Sequence, residues 1–193
     1  MSYHRADIIS FRKTRDEFGQ LSNMCAGFPL ALGPHTFRTS EALYQSLRFP
    51  QHADVQLEII AARSPMTAKM IAKGHRAKTR PDWDDVRVEI MEWCLRVKFA
   101  QHWEILRTTL MSTAQKSIVE ESRRDQFWAA TPVSNDLLRG KNVLGMLLMK
   151  VRDDDRLPSA DPPDINGLLL PSQSASSCEA SGDGPLGPRL FDY

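Results

Sequence analysis

The longest periodic segment of the chain runs from Trp83 to about Ala100 and constrains the fold more than any other stretch. Acidic residues fall in its first turn and basic residues in its last, as the dipole of an α-helix favours. The pattern predicts one long helix with a buried face, and therefore a domain with a helical core. The residues of that face are Val86, Ile90, Met91, Cys94 and Leu95.

Lys98 lies one helical turn beyond Cys94 on the same apolar stripe. A lysine in that position would lose hydration, which lowers its pKa unless a carboxylate pairs with it. Alternatively, its long side chain extends to solvent near the end of the helix. The sequence leaves both positions open.

A short helix is predicted between a cap and a proline. Thr39 or Ser40 can accept a backbone N–H at its start, and Pro50 cannot continue it. Leu43 and Leu47, four residues apart, then share a buried face.

A polar stripe on the same short helix carries Glu41, Gln45 and Arg48. Glu41 falls in the first turn, where the positive end of the helix dipole favours the ionised carboxylate. The stripe is either a solvated polar face or a means of holding a negative charge ready for chemistry.

Shorter patterns predict the remaining elements. The turn pair Gly33–Pro34 separates two segments, 28–32 and 35–38, that form a hairpin. Residues 117–120 are either a strand or an extended link. We further predict a strand at 8–11, a loop at 129–140 and helices at 54–63, 65–73, 103–111 and 143–152, with Asp54, Ser64 and Asn142 as caps.

Composition restricts the classes of function. The 193 residues include 25 basic and 24 acidic side chains, for a formal net charge of +1, so a polyanion must be held by local charges. Three cysteines without CxxC spacing favour a reducing compartment, and five scattered histidines form no zinc pattern. We expect no metal and no cofactor.

The distribution of apolar and polar residues predicts a cytoplasmic protein with one domain and a tail. The first residues lack a signal region, and no run approaches the ~20 apolar residues of a membrane span. We expect a domain at 1–155 and a tail at 156–193, which is rich in Pro, Ser and Gly. Ile165 and 168–170 would let the first part of the tail pack on the domain, with disorder at 172–188.

Two acidic residues, Glu41 and Asp125, open or precede segments of irregular structure. Cleavage of a glycosidic bond needs such a pair of carboxylates: one stabilises positive charge at the anomeric carbon, and the other moves a proton. The motifs GxGxxG, P-loop, HExxH and GxSxG are absent, which removes several common enzyme classes.

Other side chains could bind a nucleotide. Trp83 and Trp128 can present an indole to a base or a sugar, although either can equally belong to the core. Amide groups near turns or helix starts, and basic side chains able to meet phosphates, complete the set: Asn23, Gln45, Asn142, Arg12, Lys13 and Arg48.

Eight short motifs, in order and spread over residues 8–153, resemble the NADAR (NAD and ADP-ribose associated, YbiA-like) family. They are 18–23 (FGQLSN); 39–41 (TSE) with Gln45 and Phe49; 64–66 (SPM) with Ala68; 82–83 (DW) with Val86; 98–99 (KF); 118–120 (IVE); Asp125 with Trp128; and 140–145 (GKNVLG) with 148–149 (LM).

The resemblance implies an α+β fold, mostly α-helical, as a single compact domain with small antiparallel β elements. Family members are N-glycosidases: one branch cleaves phosphorylated riboflavin-pathway intermediates, and another removes ADP-ribose from guanine bases in DNA, countering toxins that are DNA ADP-ribosyltransferases. The forms at 38–45, 119–123 and 127–128 resemble the second branch. Ala42 replaces the His of the riboflavin-type branch, and Ala129 replaces a usual Gly, which would narrow the pocket floor or alter turnover.

By position in the motifs, the resemblance implies that Glu41 and Asp125 are catalytic and that Trp83 is the family's indole. Lys98 matches the family's lysine before Phe and is a third catalytic candidate, contacting the opened or cationic ribose, with a covalent imine as one form of that contact. The expected substrate-binding residues are Arg12, Phe18, Ser22, Asn23, Gln45, Trp83, Trp128 and Asn142.

The resemblance implies ADP-ribosylated DNA as substrate, ADP-ribose as product and a functional pairing with a DNA ADP-ribosyltransferase. The near-neutral charge suits a nucleotide pocket and single-stranded or frayed DNA. Two alternatives remain: an N-glycosidase acting on riboflavin intermediates, and a non-catalytic reader that binds ADP-ribose.

Overall fold

The long helix predicted at 83–100 is the central element of the protein. In the computed structural model, which describes residues 1–154, it runs over Trp83–Gln101 and packs against three other helices. Within those residues the helices are α1 (Ser40–Ser46), α2 (Ala53–Ala61), α3 (Pro65–Gly74), α4 (Trp83–Gln101), α5 (Trp103–Ser112) and α6 (Val143–Asp153). The strands are β1 (Ser2–His4), β2 (Ile8–Phe11), β3 (Leu30–Leu32), β4 (His35–Phe37), β5 (Ser117–Glu120), β6 (Thr131–Pro132) and β7 (Leu137–Arg139).

Helix α1 is buried on every side. The Thr39 hydroxyl accepts the Ala42 N–H at 3.2 Å, which confirms the predicted cap, and the helix ends at Ser46, before Pro50. It packs against α2, α3 and α4. All seven of its residues are buried, so the polar stripe of α1 is not a solvated face.

The strands form three small sheets. The hairpin is confirmed: β3 pairs antiparallel with β4, with Leu32 opposite His35 across Gly33–Pro34. Strand β5 pairs in parallel with β2, which the expectation of antiparallel elements did not include. The order β1-β7-β6 describes the third, antiparallel sheet, and its strands of two or three residues fall partly in the predicted loop 129–140.

Two of the four predicted helix caps, Asp54 and Asn142, are wrong. The Ser64 hydroxyl caps α3 by accepting the Thr67 N–H at 3.0 Å, as predicted. Asp54 instead lies in the first turn of α2, where its carboxylate accepts from Lys78. Asn142 precedes α6, but its side chain does not cap it, because both amide atoms bind β5.

Helices supply most of the core. Its largest fully buried apolar side chains are Phe11, Phe49, Phe99, Leu21, Leu30, Leu43, Ile59, Ile90, Leu95, Leu106 and Leu110. None of the described helices is long and apolar enough to cross a membrane. The predicted tail, 156–193, lies outside the described residues.

Candidate active site

A cavity of about 1230 Å³ opens among α1, α3, the start of α4 and the segment that follows β5. Its walls bring together four side chains that are far apart in the sequence: Glu41, Trp83, Asp125 and Trp128. Arg12, Asn23 and Gln45, predicted as substrate-binding residues, line the same cavity. Most of the predicted site residues therefore line the same cavity.

Glu41 is a buried carboxylate at the start of α1, with 6% of its surface exposed. Burial raises its pKa, whereas the charge of Lys69 and hydrogen bonds from Gln45 and Asn23 act in the opposite direction. The Gln45 amide donates from Nε2 to Glu41 Oε1 at 2.9 Å. Since Gln45 lies one turn further along the same helix, the pair follows from the i, i+4 spacing of the sequence.

Asn23 connects the loop before the hairpin to the start of α1. Its backbone carbonyl accepts from the Glu41 N–H at 3.2 Å and from the Ser40 hydroxyl at 3.3 Å. The side-chain Nδ2 contacts Met91 Sδ at 2.6 Å. Its Oδ1 is buried and has no hydrogen-bond partner in residues 1–154, so it is an available acceptor beside the cavity.

Glu120, the last residue of β5, is a third carboxylate that lines the cavity. Burial raises its pKa to about 7, and the negative charges of Glu41 and Asp125 contribute to the rise. The Ser22 hydroxyl donates to its Oε1 at 3.2 Å. A carboxyl group with this pKa exchanges a proton near neutral pH. No sequence pattern predicted a role for Glu120, although it ends the 118–120 motif.

Asp125 both lines the cavity and shapes it. Its Oδ1 accepts the backbone N–H groups of Phe127, at 2.9 Å, and Trp128, at 2.8 Å. The Ser122 hydroxyl accepts the Asp125 N–H at 3.1 Å. This turn fixes the direction in which the chain carries Trp128 to the cavity.

The aromatic wall consists of Trp83, Tyr44 and Trp128. Ring centroids lie 5.0 Å apart for Tyr44–Trp83 and 5.6 Å apart for Tyr44–Trp128. Trp83 has 8% of its surface exposed, belongs to the hydrophobic core and also lines the cavity. Sequence analysis did not assign a role to Tyr44, which stands between the two indoles.

Lys98 is fully buried, which excludes the alternative in which it extends to solvent. Its Nζ donates to the carbonyls of Gln20, at 2.6 Å, and Ser22, at 2.9 Å, and lies 5.1 Å from the centre of the Phe28 ring. Burial lowers its pKa to about 8. Lys98 is not among the cavity-lining residues, so the predicted contact with a ribose would require Nζ to leave these carbonyls.

Three other predicted substrate-binding residues also lie off the cavity wall. Ser22 donates to Glu120, and Phe18 packs against the hydrophobic core. Asn142 donates from Nδ2 to the Ile118 carbonyl at 2.8 Å and accepts the Glu120 N–H at 3.1 Å. Ser22 thus holds the carboxylate of Glu120, and Asn142 holds the backbone of β5 at that residue.

Basic side chains outnumber acidic ones along the cavity. The acidic ones are Glu41, Asp84, Glu120, Glu121 and Asp125; the basic ones are Arg12, Lys13, Arg48, Lys69, Lys73, Arg76, Arg80 and Arg87. The cavity therefore offers local positive charge to an anionic ligand, although the whole chain is nearly neutral. No group of His, Cys, Asp and Glu suited to a metal ion occurs in residues 1–154.

Hydrolysis of a glycosidic bond needs a pair of carboxylates, and Glu41 and Asp125 line the same cavity. A sequence model of the NADAR domain matches residues 10–156. The chain belongs to the NADAR family, as the resemblance predicted.

Named relatives share most of this domain. The chain is 35% identical over 146 residues to the N-glycosidase YbiA of Escherichia coli (strain K12), covering 76% of this chain and 87% of that protein. It is 34% identical over 167 residues to the chloroplastic riboflavin biosynthesis protein PYRR of Zea mays, covering 80% of this chain and 26% of that protein.

The fold has a counterpart among solved structures. The NMR structure of the E. coli protein YbiA matches with a TM-score of 0.65 and 35% identity, covering 75% of this chain and 82% of that one. The predicted fold class, α+β with a helical majority, is confirmed.

Proposed function

We propose that this protein hydrolyses the N-glycosidic bond between ADP-ribose and a guanine base in DNA, releasing ADP-ribose and restoring the base. The relatives named N-glycosidase support the broader class, a hydrolase of glycosidic bonds. The observation that carries the proposal is the meeting of Glu41, Glu120 and Asp125 beside two indoles in one cavity.

In the proposed reaction the bond from the anomeric carbon to the base nitrogen breaks as an oxocarbenium-like sugar forms. Glu41 stabilises this cation. Burial leaves the Glu41 carboxylate poorly hydrated, so the attraction between this carboxylate and the sugar cation is stronger than it would be in water.

Two proton transfers complete the hydrolysis. Water attacks the anomeric carbon and gives one proton to a carboxylate, while the leaving base nitrogen receives another. We assign Asp125 as the carboxylate that accepts the proton from water. Glu120, with a pKa raised to about 7 by burial, carries a proton for the leaving base at neutral pH.

The size and charge of the cavity support a nucleotide substrate. Its volume of about 1230 Å³ exceeds the space that a single sugar needs and leaves room for a base and phosphates. Trp83 and Trp128 offer ring faces for stacking. Because basic charge is concentrated in the cavity, a flexible single strand or frayed end fits better than a duplex lying across the surface.

A riboflavin-pathway intermediate is the second candidate substrate, since several relatives are named riboflavin biosynthesis proteins. Against it stands Ala42, buried in α1 next to Glu41, where the resemblance gives the riboflavin-type branch a His. Ala129, the other departure from the family pattern, lines the cavity.

The test is a side-by-side assay on a single-stranded oligonucleotide with ADP-ribosylated guanine and on the phosphorylated riboflavin intermediate. We expect release of ADP-ribose from the oligonucleotide, with Glu41→Gln lowering the rate at least about a hundredfold and leaving the fold intact. Glu104→Gln, an exposed change on α5, is the matched control.

Three outcomes would contradict the proposal. Faster turnover of the riboflavin intermediate would assign the protein to that substrate. Binding of ADP-ribose without cleavage at long incubation would indicate a non-catalytic reader. Full activity in Glu41→Gln would remove Glu41 from the mechanism.

A further inference from the structure

Two arginines that line the cavity each have one guanidinium nitrogen without an acceptor. Arg80 binds the Asp82 carboxylate through Nε and Nη2, and its buried Nη1 has no partner in residues 1–154. Arg48 donates from Nη1 to Gln45 at 3.3 Å and from Nη2 to Thr79 at 3.2 Å. Its buried Nε also lacks a partner in that part of the chain.

Unpaired buried donors are rare in folded proteins, because each has given up its hydrogen bonds to water. The Arg80 side chain has only 7% of its surface exposed, yet it uses two of its three nitrogens on one carboxylate. For Arg48, no carboxylate of residues 1–154 lies within ion-pair distance. Each of the two side chains therefore keeps one N–H group that no other residue of 1–154 uses.

A backbone hydrogen bond joins these two arginines. The Arg80 N–H donates to the Arg48 carbonyl at 2.9 Å, and the Arg48 guanidinium lies 5.0 Å from the centre of the Trp83 ring. Burial lowers the pKa of Arg48, and the nearby charge of Arg76 lowers it further. Arg76, which is exposed, also lines the cavity. Of these three arginines only Arg80 has a carboxylate partner among residues 1–154, so the three guanidinium groups together attract an anion.

We infer that Arg48, Arg76 and Arg80 form a phosphate-binding subsite on the wall of the cavity, distinct from the carboxylates that act on the sugar. Its ligand is a phosphate or diphosphate ester on the sugar side of the scissile bond. The identity of this ligand rests on the proposed function.

The position of the subsite relative to Glu41 fits such a ligand. Gln45 donates to Glu41 through its amide nitrogen and accepts from Arg48 through its amide oxygen. The carboxylate and the arginine are therefore separated by a single amide group. A pentose with its anomeric carbon at Glu41 can direct its 5′-phosphate toward Arg48, and the phosphate stays out of contact with the carboxylate.

Calorimetry with four probes tests the subsite: ADP-ribose, ribose 5-phosphate, inorganic pyrophosphate and adenosine. We expect Arg48→Gln and Arg76→Gln each to weaken ADP-ribose binding at least tenfold and to leave adenosine binding unchanged. Arg107→Gln, an exposed change on α5 away from the cavity, removes the same charge and should alter affinity less than twofold.

The probes also separate the two sources of phosphate. Tighter binding of ADP-ribose and pyrophosphate than of ribose 5-phosphate assigns a diphosphate to the subsite, whereas equal binding assigns a single phosphate. Unchanged ADP-ribose affinity in the folded double variant Arg48→Gln, Arg76→Gln would overturn the inference. If that variant does not fold, failure of pyrophosphate to displace ADP-ribose from the wild-type protein would overturn it instead.

Failure of the proposed function gives a different result. In that case the wild-type protein leaves ADP-ribosylated guanine uncut, while the arginine variants still lose affinity for the phosphate-bearing probes. The subsite would then stand, and the reaction assigned to the cavity would not.

Discussion

Gln45 Nε2 donates to Glu41 Oε1 at 2.9 Å, and both side chains are buried on α1. A helix with this much polar surface normally faces solvent. Here α2, α3 and α4 enclose it, and the hydrogen bond compensates in part for the lost hydration of the carboxylate. The pair is thus a carboxylate held in a cavity together with its own donor.

Replacing the donor should weaken catalysis without removing the carboxylate. In Gln45→Leu the pKa of Glu41 should rise further, because the bond from Gln45 opposes the effect of burial. The ionised form then becomes available only at higher pH. We expect about a tenfold loss of kcat/KM at neutral pH and a shift of the acidic limb of the pH profile to higher pH.

Gln51→Leu, an exposed change outside the cavity, is the control for this variant. An unchanged acidic limb in Gln45→Leu would show that ionisation of Glu41 does not limit the reaction.

Glu120 should govern the basic limb of the same profile. Since burial raises its pKa to about 7, its protonated form is lost as the pH rises through that value. We expect kcat/KM to fall above about pH 7 in the wild-type protein, and this limb to disappear in Glu120→Gln. The exposed change Glu89→Gln on α4 should retain it. Persistence of the limb in Glu120→Gln would assign it to another group.

The same carboxyl group predicts how stability depends on pH. A raised pKa means that the folded state holds this proton more tightly than the unfolded chain. Its contribution to stability is therefore complete below the ordinary value of 4.5 and is lost as the pH rises through about 7. The loss amounts to roughly 3 kcal/mol of unfolding free energy. When that free energy is measured by chemical denaturation across this pH range, it should depend less on pH in Glu120→Gln than in the wild-type protein.

Lys98 should be important for stability through its two carbonyl partners. Lys98→Met leaves the carbonyls of Gln20 and Ser22 without this donor, although it also removes a buried charge. We expect a net destabilisation of about 1–3 kcal/mol in urea unfolding at pH 7. Since burial lowers the pKa of Lys98 to about 8, the wild-type protein should gain stability from about pH 8 toward 10.5, and the variant should not. Equal stability at both pH values would contradict this.

The cap of α3 should contribute measurably to the stability of the helix that carries Lys69 to the cavity. Ser64→Ala removes the acceptor for the Thr67 N–H and should cost about 1 kcal/mol in thermal or chemical unfolding. Ser64→Asp, which supplies another good cap, should restore the loss. If Ser64→Asp is as unstable as Ser64→Ala, the hydroxyl acts through contacts other than the cap.

Local patterns predicted the elements that are stabilised locally. Thr39 and Ser64 were found as caps because a cap is defined by neighbouring residues. Helical periodicity placed Lys98 on the apolar stripe of α4, although it left open whether the side chain is buried. The antiparallel hairpin was predicted because the turn pair Gly33–Pro34 lies directly between the two segments that pair.

Features that depend on distant contacts were not predictable. Whether the polar stripe of α1 faces solvent depends on α3 and α4, and the role of Glu120 depends on the pairing of β5 with β2. Asn142 has the residue type of a cap, but a strand more than twenty positions earlier takes both of its amide atoms. Tertiary contacts in each case override the local preference.

The parallel pairing of β2 with β5 also determines when the protein can become active during synthesis. An N-terminal fragment emerging from the ribosome already contains Glu41 and Trp83, but Glu120 is added only after α5, and α6 must still pack on β5. Because such long-range contacts form last, a nascent chain does not hold Glu41, Glu120 and Asp125 in one cavity until nearly the whole domain has been translated.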